Sequence, residues 1–233
     1  GLFGEEAFKN VIVTGTIAGS DGKKMSKSLG NYTDSNILLD QYSADALRYL
    51  LMSSPLLNGE DFTLIDKDVS DIQRKLGTLW NSYSFFVMYA NIDKWSSDDT
   101  KSATTGKNLL DKWILSELNK LIKTVDENME EYNLPGATKT IMDFIDQLSN
   151  WYIRRSRRRF WKSESDSDKQ EAYQTLWTVL VEFSKLIAPF TPFVADEIYR
   201  NLTDEESVHL ADYPVAKEDL IEEEISKKMA STR

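Results

Sequence analysis

The chain has no cysteine and a single histidine, His209, among its 233 residues. Without cysteine, neither disulfide bonds nor thiolate metal sites can form, and one histidine excludes a multi-histidine metal site. We interpret His209 as a surface or packing residue, and we expect neither a histidine-based catalytic triad nor a protein-bound metal. The sequence shows no signal peptide and no run of eighteen apolar residues, which predicts a soluble, cytoplasmic protein without a membrane partner.

Acidic residues outnumber basic residues, 38 to 28, which gives a formal net charge of −10. Such an excess argues at first against a nucleic-acid partner. Net charge sets solubility and the long-range field, however, whereas contacts to phosphates need only a local basic surface. The positive charge is clustered, because five arginines fall among the six residues from Arg154 to Arg159. Acidic residues concentrate elsewhere, notably in residues 218–224.

A short loop rich in lysine and serine follows a predicted strand. The β-branched run Val11–Gly15 predicts the strand, and Asp21 followed by Gly22 is a strong signal for a tight turn. The loop consists of Lys24, Met25, Ser26, Lys27 and Ser28. Its ammonium and hydroxyl groups suit a substrate that reacts at a chain of phosphates, because they can bind oxygens on which negative charge develops. The alternative is an ordinary solvated hairpin.

A helix is predicted after this loop. Ser43 is a natural N-cap, Pro55 ends the helix, and an apolar stripe at helical spacing lies between them. The stripe comprises Ala46, Leu47, Leu50 and Leu51. Asp45 and Arg48 lie three residues apart on the same helix, and we expect them to pair locally at small energetic value.

Beyond about residue 57, apolar residues recur at intervals of three and four, which predicts the buried faces of packed helices. The recurring positions are Val69, Ile72, Leu76, Leu79, Trp80, Tyr83 and Val87; Leu110, Ile114, Leu118, Leu121, Val125 and Met129; Ile141, Phe144, Ile145, Leu148, Trp151 and Tyr152; and Leu176, Val179, Leu180, Phe183 and Ile187. We predict that Pro135 opens a helix, that Pro189 and Pro192 interrupt one, and that residues 96–106 form a loop. The fold class is therefore mainly α, with a small α/β block followed by a helical bundle.

The arginine-rich segment divides into two faces if it is helical. At about 100° per residue, Arg155 and Arg159 align with Leu148 and Tyr152 on the apolar face. An arginine on a core face needs a carboxylate or carbonyl partner, so we predict structural roles for both. The other face carries Arg154, Arg157, Arg158 and Trp161. Its arginines can reach phosphates and its tryptophan can stack on an unpaired base, although basic residues late in a helix also simply favour the helix dipole.

These motifs resemble those of a known enzyme family. Residues 24–28 match in full the KMSKS motif of the class I aminoacyl-tRNA synthetases, and residues 29–32 fit its usual continuation. The helix after Ser43 resembles the ADALR helix that follows this motif. Residues 150–161 resemble the anticodon-binding domain of the isoleucyl-tRNA synthetase family, whose valyl and leucyl relatives carry less arginine there. Weaker matches at residues 1–12 and 207–214 extend the resemblance over essentially the whole chain.

The resemblance implies three parts. Residues 1–65 would be the C-terminal part of the catalytic domain, a remnant of the class I nucleotide-binding fold with the KMSKS loop and a connecting helix. Residues 66–213 would be the α-helical anticodon-binding domain, and residues 214–233 an acidic helix or linker to a further region. The implied activity is ATP-dependent activation of isoleucine and its transfer to tRNA(Ile), with Mg²⁺ bound to ATP as substrate.

The resemblance also implies roles for individual residues. Lys24 and Lys27 would be catalytic, with Lys27 the stronger candidate, because they can stabilise the triphosphate as pyrophosphate leaves. The whole motif from Lys24 to Ser28 would bind ATP. The implied tRNA-binding residues are Arg154, Arg157, Arg158 and Trp161.

Two other interpretations stay open. One is a valyl- or leucyl-tRNA synthetase, since the specificity pocket is not in this sequence. The other is a non-catalytic RNA-binding module, which would lose affinity steeply with salt but show no link to ATP. The family's HIGH motif, amino-acid pocket and editing domain have no counterpart here, and the first residue is Gly1. We therefore expect a piece of a larger enzyme that is inactive alone.

Overall fold

The computed structural model describes residue 4 and residues 6–97, 108–161 and 167–232. The first part contains β1 (Ile17–Ala18), α1 (Ser35–Gln41), α2 (Ala44–Ser53), a 3₁₀ turn (Pro55–Asn58) and β2 (Phe62–Thr63). The remainder is helical: α3 (Asp66–Asp93), α4 (Leu109–Glu130), α5 (Leu134–Asp146), a π-helical segment (Gln147–Ile153), α6 (Arg154–Trp161), α7 (Ser167–Ile187), α8 (Pro192–Thr203), 3₁₀ turns at Val208–Leu210 and Glu218–Leu220, and α9 (Glu223–Thr232). The prediction of a mainly α fold with a small α/β block is confirmed.

The two short strands lie side by side and parallel, with Ile17 opposite Phe62 and Ala18 opposite Thr63. The prediction of a strand at Val11–Gly15 is wrong. Val11, Ile12 and Val13 are 62%, 51% and 69% exposed, and within the described ranges no strand pairs with them. A β-branched sequence forms a strand only where a neighbouring strand accepts its backbone hydrogen bonds, and here that neighbour begins only opposite Ile17.

The periodic apolar positions form one continuous core. Side chains from α3, α4, α5 and α7 fill it, including Trp113, Phe144, Tyr173 and Phe183, each at most 2% exposed. Of the predicted face of α3, Trp80 is an exception at 40% exposure. Pro135 lies in the first turn of α5, as predicted, because a missing N–H costs nothing there. The predicted interruption at Pro189 and Pro192 is confirmed, since α7 ends at Ile187 and α8 begins at Pro192. The predicted loop at 96–106 lies, apart from its first two residues, outside the described residues.

The helix α2 joins the small block to the bundle. The Ser43 side chain accepts a hydrogen bond from the N–H of Ala46, which confirms the predicted N-cap. The expected local pair of Asp45 with Arg48 is replaced by contacts across the fold. Asp45 accepts hydrogen bonds from the N–H groups of Phe193 (3.2 Å) and Val194 (2.7 Å), and Arg48 donates to the carbonyl oxygen of Pro189 (3.0 Å).

Asp45 thereby caps a helix distant in sequence. The first N–H groups of any helix lack partners within it, and the carboxylate of Asp45, only 3% exposed, satisfies two of them at the start of α8. Burial raises the pKa of Asp45 above its usual value, although the two N–H groups oppose that change. Asp45, which follows the lysine-rich loop in the sequence, therefore anchors α2 to the start of α8.

The acidic C-terminal residues also pack on the bundle. The N–H of Lys217 donates to Asn119 (2.7 Å) and the N–H of Glu222 donates to Ser116 (2.8 Å), both on α4. Glu218 forms an ion pair with Lys123 at 2.8 Å. The segment after residue 214 is thus folded against α4, as a 3₁₀ turn followed by a helix. None of the helices in the described ranges is long and apolar enough to cross a membrane.

Candidate functional site

The lysine loop, residues 19–31, begins as a tight turn at the end of β1. The N–H of Gly22 donates to the carbonyl oxygen of Gly19 (2.9 Å), and the N–H of Gly19 donates to that of Lys23 (2.8 Å). Gly22 has φ +73°, which glycine adopts without strain, and this confirms the predicted turn. Lys24 then pairs with Ala18 in an antiparallel bridge, so the motif starts against the edge of the small sheet.

The remainder of the loop is a second turn that exposes the lysines. The carbonyl oxygen of Ser26 accepts hydrogen bonds from the N–H groups of Leu29 and Gly30, each at 3.1 Å. The hydroxyl oxygens of Ser26 and Ser28 are 2.8 Å apart. Lys24 and Lys27 are exposed, and among the described residues neither forms an ion pair, so both ammonium groups are open to a ligand.

Asn31 closes the loop, and sequence reasoning missed this role. Its carboxamide bonds to backbone groups of Lys23, Lys24 and Ser26 and to the carboxylate of Asp21. The signal that could have found it is an amide shortly after a turn, since asparagine side chains commonly hydrogen-bond nearby backbone. The N–H of Lys23 and the amide of Asn31 both donate to Asp21, and these bonds hold the pKa of Asp21 below its usual value.

The arginine helix, α6 (Arg154–Trp161), continues α5 through the π-helical segment without a break. A π-turn inserts one residue relative to α-helical spacing, so every later residue is rotated about the axis. The buried positions after Leu148 are Tyr152, Ile153, Ser156, Arg159 and Phe160. The prediction of a structural role is therefore wrong for Arg155, which is exposed with its guanidinium 4.5 Å from the centre of the Trp151 ring.

Arg159 does have the predicted structural role. Its two terminal nitrogens donate to the two carboxylate oxygens of Asp111 at 2.6 and 2.7 Å, and the hydroxyl of Tyr152 donates to the same carboxylate at 2.7 Å. Asp111 is fully buried, and Asp168 contributes a further ion pair at 2.8 Å. Burial alone would lower the pKa of Arg159, but its hydrogen bonds to Asp111 outweigh burial and raise that pKa.

The outer face of the arginine helix is open to solvent. Arg154, Arg157 and Arg158 are exposed, and Trp161 is 56% exposed. The guanidinium of Arg157 lies 6.0 Å from the centre of the Phe85 ring. With Arg155 added by the rotation of the helix, this face carries four exposed arginines beside an accessible indole, and none of the four forms an ion pair with another described residue. Such a surface can bind phosphates and stack on a base.

The described residues show no histidine-based site and no metal site. His209 is exposed, and no group of three or more histidine or acidic side chains in those ranges is arranged to hold a metal ion. The two candidate surfaces are therefore the lysine loop and the arginine helix. The helix α2 connects the two surfaces. It follows the lysine loop in the sequence, and its Asp45 and Arg48 bond to the helical bundle that contains the arginine helix.

Both parts of the chain match known protein families. Residues 111–233 match the family described as the anticodon-binding domain of tRNA ligase, and residues 1–63 match the tRNA synthetases class I (I, L, M and V). An isoleucine–tRNA ligase of Treponema denticola is 45% identical over the whole chain, and one of Dehalococcoides mccartyi is 48% identical over 98% of it. The chain spans 22% and 23% of the lengths of these two relatives.

Solved structures share the fold. The leucyl-tRNA synthetase of Agrobacterium radiobacter, in a ternary complex with tRNA and LeuAMS, matches 90% of this chain and 24% of its own at a TM-score of 0.68, with 19% identity. The Mycobacterium tuberculosis methionyl-tRNA synthetase, solved with methionyl-adenylate, matches 79% of this chain and 36% of its own at a TM-score of 0.58. With its lysine loop, its helical bundle and these relatives, the chain belongs to the tRNA ligases, as an anticodon-binding domain preceded by a class I tRNA synthetase segment.

Proposed function

We propose that this chain is part of an isoleucine–tRNA ligase, and that it links the catalytic domain to the anticodon side of tRNA(Ile). The observation that carries the proposal is 44–48% identity, over essentially the whole chain, to isoleucine–tRNA ligases of several bacteria. The arginine-rich sequence of residues 150–161 supports isoleucine over valine or leucine. We assign residues 1–65 to the C-terminal part of the catalytic domain and residues 66–213 to the anticodon-binding domain. Residues 214–233 are assigned to an acidic helix or linker that leads to a further region of the ligase.

The activity proposed for the intact ligase has two steps. The carboxylate of isoleucine attacks ATP to give isoleucyl-adenylate and pyrophosphate. A ribose hydroxyl of the terminal adenosine of tRNA(Ile) then takes the acyl group, and AMP leaves. ATP enters with Mg²⁺ as substrate, and the pocket for isoleucine lies outside this chain, so we expect the chain alone to be inactive. We place this activity in the cytoplasm.

The lysine loop would act in the first step. Lys24 and Lys27 present exposed ammonium groups, without an ion-pair partner in the described ranges, that can bind the phosphate oxygens. The hydroxyls of Ser26 and Ser28 can donate hydrogen bonds to the same oxygens. As pyrophosphate leaves, negative charge grows on those oxygens, and the attraction to both lysines grows with it. Catalysis here is electrostatic stabilisation and positioning, and it needs no covalent intermediate with the protein.

Isoleucine-dependent exchange of pyrophosphate into ATP tests the proposal. The intact ligase that contains this chain is expected to catalyse this exchange with isoleucine far better than with valine or leucine. The matched control is the same assay without tRNA, because adenylate formation precedes transfer. Exchange that depends on valine or leucine instead would assign the chain to a sibling enzyme, and tRNA binding without any exchange would favour a non-catalytic module.

The outer face of the arginine helix is proposed to contact the tRNA backbone. Replacing Arg157 or Arg158 by alanine is expected to weaken tRNA(Ile) binding and to reduce the slope of log K against log salt concentration by about one, because one phosphate contact is lost. Filter binding or fluorescence anisotropy at several salt concentrations would measure both the affinity for tRNA(Ile) and its dependence on salt. The melting temperature should not change, since exposed charges contribute little to stability.

Arg200→Ala is the matched control for this prediction. Arg200 is also exposed, with only a loose ion pair to Asp196 at 4.0 Å, but it lies on α8 and outside the arginine helix. Its removal should leave the salt slope unchanged. Equal slopes for Arg157→Ala, Arg158→Ala and the parent would mean that these arginines do not meet phosphates.

A further inference from the structure

The lysine loop is held together by one carboxamide. The Oδ1 atom of Asn31 accepts a hydrogen bond from the N–H of Ser26 at 3.0 Å. Its Nδ2 atom donates to Asp21 Oδ1 at 2.9 Å and to the carbonyl oxygens of Lys23 and Lys24 at 3.3 Å each. An amide nitrogen has two hydrogens, so one serves the carboxylate and the other is shared by the two carbonyls. One side chain thus bonds to four residues of the loop.

Only one orientation of this amide satisfies its neighbours. A rotation by 180° about its last bond would place the NH₂ group against the N–H of Ser26 and the oxygen against a carboxylate and two carbonyls. All four contacts would then be repulsive. The contacts therefore require an amide, and a carboxylate of the same shape could keep only the bond to Ser26.

The backbone of Asn31 is fixed as well. A Cβ atom at Gly19 would lie 2.0 Å from the carbonyl oxygen of Asn31, so only glycine lets the two ends of the loop approach this closely. The end of the loop is in this way packed against its beginning, and the Asn31 side chain is directed back into the loop that it closes.

We propose that Asn31 is a positioning residue for the transfer of the adenylyl group, an inference that rests on the proposed function. The bonds of Asn31 to the carbonyl of Lys24 and the N–H of Ser26 fix the backbone on both sides of Met25. Lys27 follows directly, so the direction of both ammonium groups depends on this amide. Asn31 acts through the backbone and does not touch the phosphates.

The test is Asn31→Asp in the intact ligase, an isosteric change. It keeps an acceptor for Ser26 but removes both N–H donors and places a second carboxylate against Asp21. The maximal rate of isoleucine-dependent pyrophosphate exchange is expected to fall about 10- to 100-fold, as for misplaced catalytic groups. The KM for isoleucine should stay unchanged, because the loss is confined to the transition state. Transfer from supplied isoleucyl-adenylate to tRNA should also stay unchanged, since pyrophosphate has already left.

A second substitution can restore the lost contact. In the Asn31→Asp, Asp21→Asn double variant the carboxylate at position 31 faces a neutral amide that can donate to it, so the repulsion between two carboxylates is removed. Oδ1 of Asp21 accepts from both Asn31 and the N–H of Lys23 in the parent, so this exchange gives up the bond from Lys23. This double variant is expected to exchange pyrophosphate faster than Asn31→Asp alone. Asn36→Asp is the matched control, because it adds the same charge on the neighbouring helix α1, at an exposed position outside the loop.

The outcomes separate this inference from the function on which it rests. A parent ligase without isoleucine-dependent exchange contradicts the proposed function itself. An active parent with an equally active Asn31→Asp variant overturns the role of Asn31, and so does a double variant no faster than Asn31→Asp. An equal fall in exchange and in transfer from supplied adenylate would also overturn it, because that pattern indicates general loss of folded enzyme.

Discussion

Replacing Lys27 by alanine in the intact ligase is expected to slow adenylate formation by about 100- to 1,000-fold, equivalent to about 2.7–4 kcal/mol of transition-state stabilisation. The physical reason is that the Lys27 ammonium is exposed and has no acidic partner among the described residues, so its attraction to the leaving pyrophosphate is not already compensated. Single-turnover adenylate formation measures the rate. The affinity for isoleucine, measured by equilibrium binding, should change little, because we propose that the isoleucine pocket lies outside this chain.

Lys23→Ala is the matched control for Lys27→Ala. Lys23 is an exposed lysine of the same loop, and its backbone, not its ammonium, takes part in the turn. Its removal changes the net charge equally but should cost far less rate. If Lys27→Ala forms adenylate as fast as the parent, Lys27 has no part in the mechanism. If both variants lose rate equally, the loop acts through its overall charge alone.

Replacing Arg159 by methionine is expected to lower the free energy of unfolding by about 3–5 kcal/mol, because it leaves a buried carboxylate without its cation. Asp111 is fully buried and receives both terminal nitrogens of Arg159. Tyr152 would remain as a hydrogen-bond donor to Asp111, but one neutral hydroxyl cannot compensate a full charge. Urea unfolding of the 233-residue chain, followed by circular dichroism, measures the change.

Two further variants make this prediction specific. Arg158→Met changes the adjacent, exposed arginine and should alter stability little. In the Arg159→Met, Asp111→Asn double variant the buried charge is gone while Tyr152 keeps an acceptor, so part of the loss should be recovered. Equal unfolding curves for Arg159→Met and Arg158→Met would show that the buried ion pair contributes nothing to stability.

Together these variants separate two uses of arginine within eight residues. Arg159 joins the first turn of α4 to the arginine helix, while Arg157 and Arg158 face solvent. Replacing Arg159 is expected to lower stability without changing the salt dependence of tRNA binding. Replacing Arg157 or Arg158 is expected to change that salt dependence without lowering stability. The arginine helix therefore combines a structural anchor with the proposed surface for tRNA.

Most helices could be predicted from the sequence, because their determinants are local. The apolar spacing in α3, α4 and α7, the cap at Ser43, and Pro135 and Pro192 each act within a few residues of the chain. The turn at Asp21–Gly22 is local in the same sense. The lysine motif itself is recognisable because it is contiguous.

Tertiary structure decided the features that depend on distant partners. The run Val11–Gly15 has strand propensity but no strand beside it, and Asp45 meets the start of α8 instead of Arg48 on its own helix. The prediction for Arg155 assumed regular α-helical spacing. The π-helical segment adds one residue to a turn, which rotates the residues after it about the helix axis, and Arg155 faces solvent. By itself the sequence determined which residues are helical, apolar or charged. Only the fold decided which of them meet, because hydrogen-bond partners and burial depend on residues far apart in the chain.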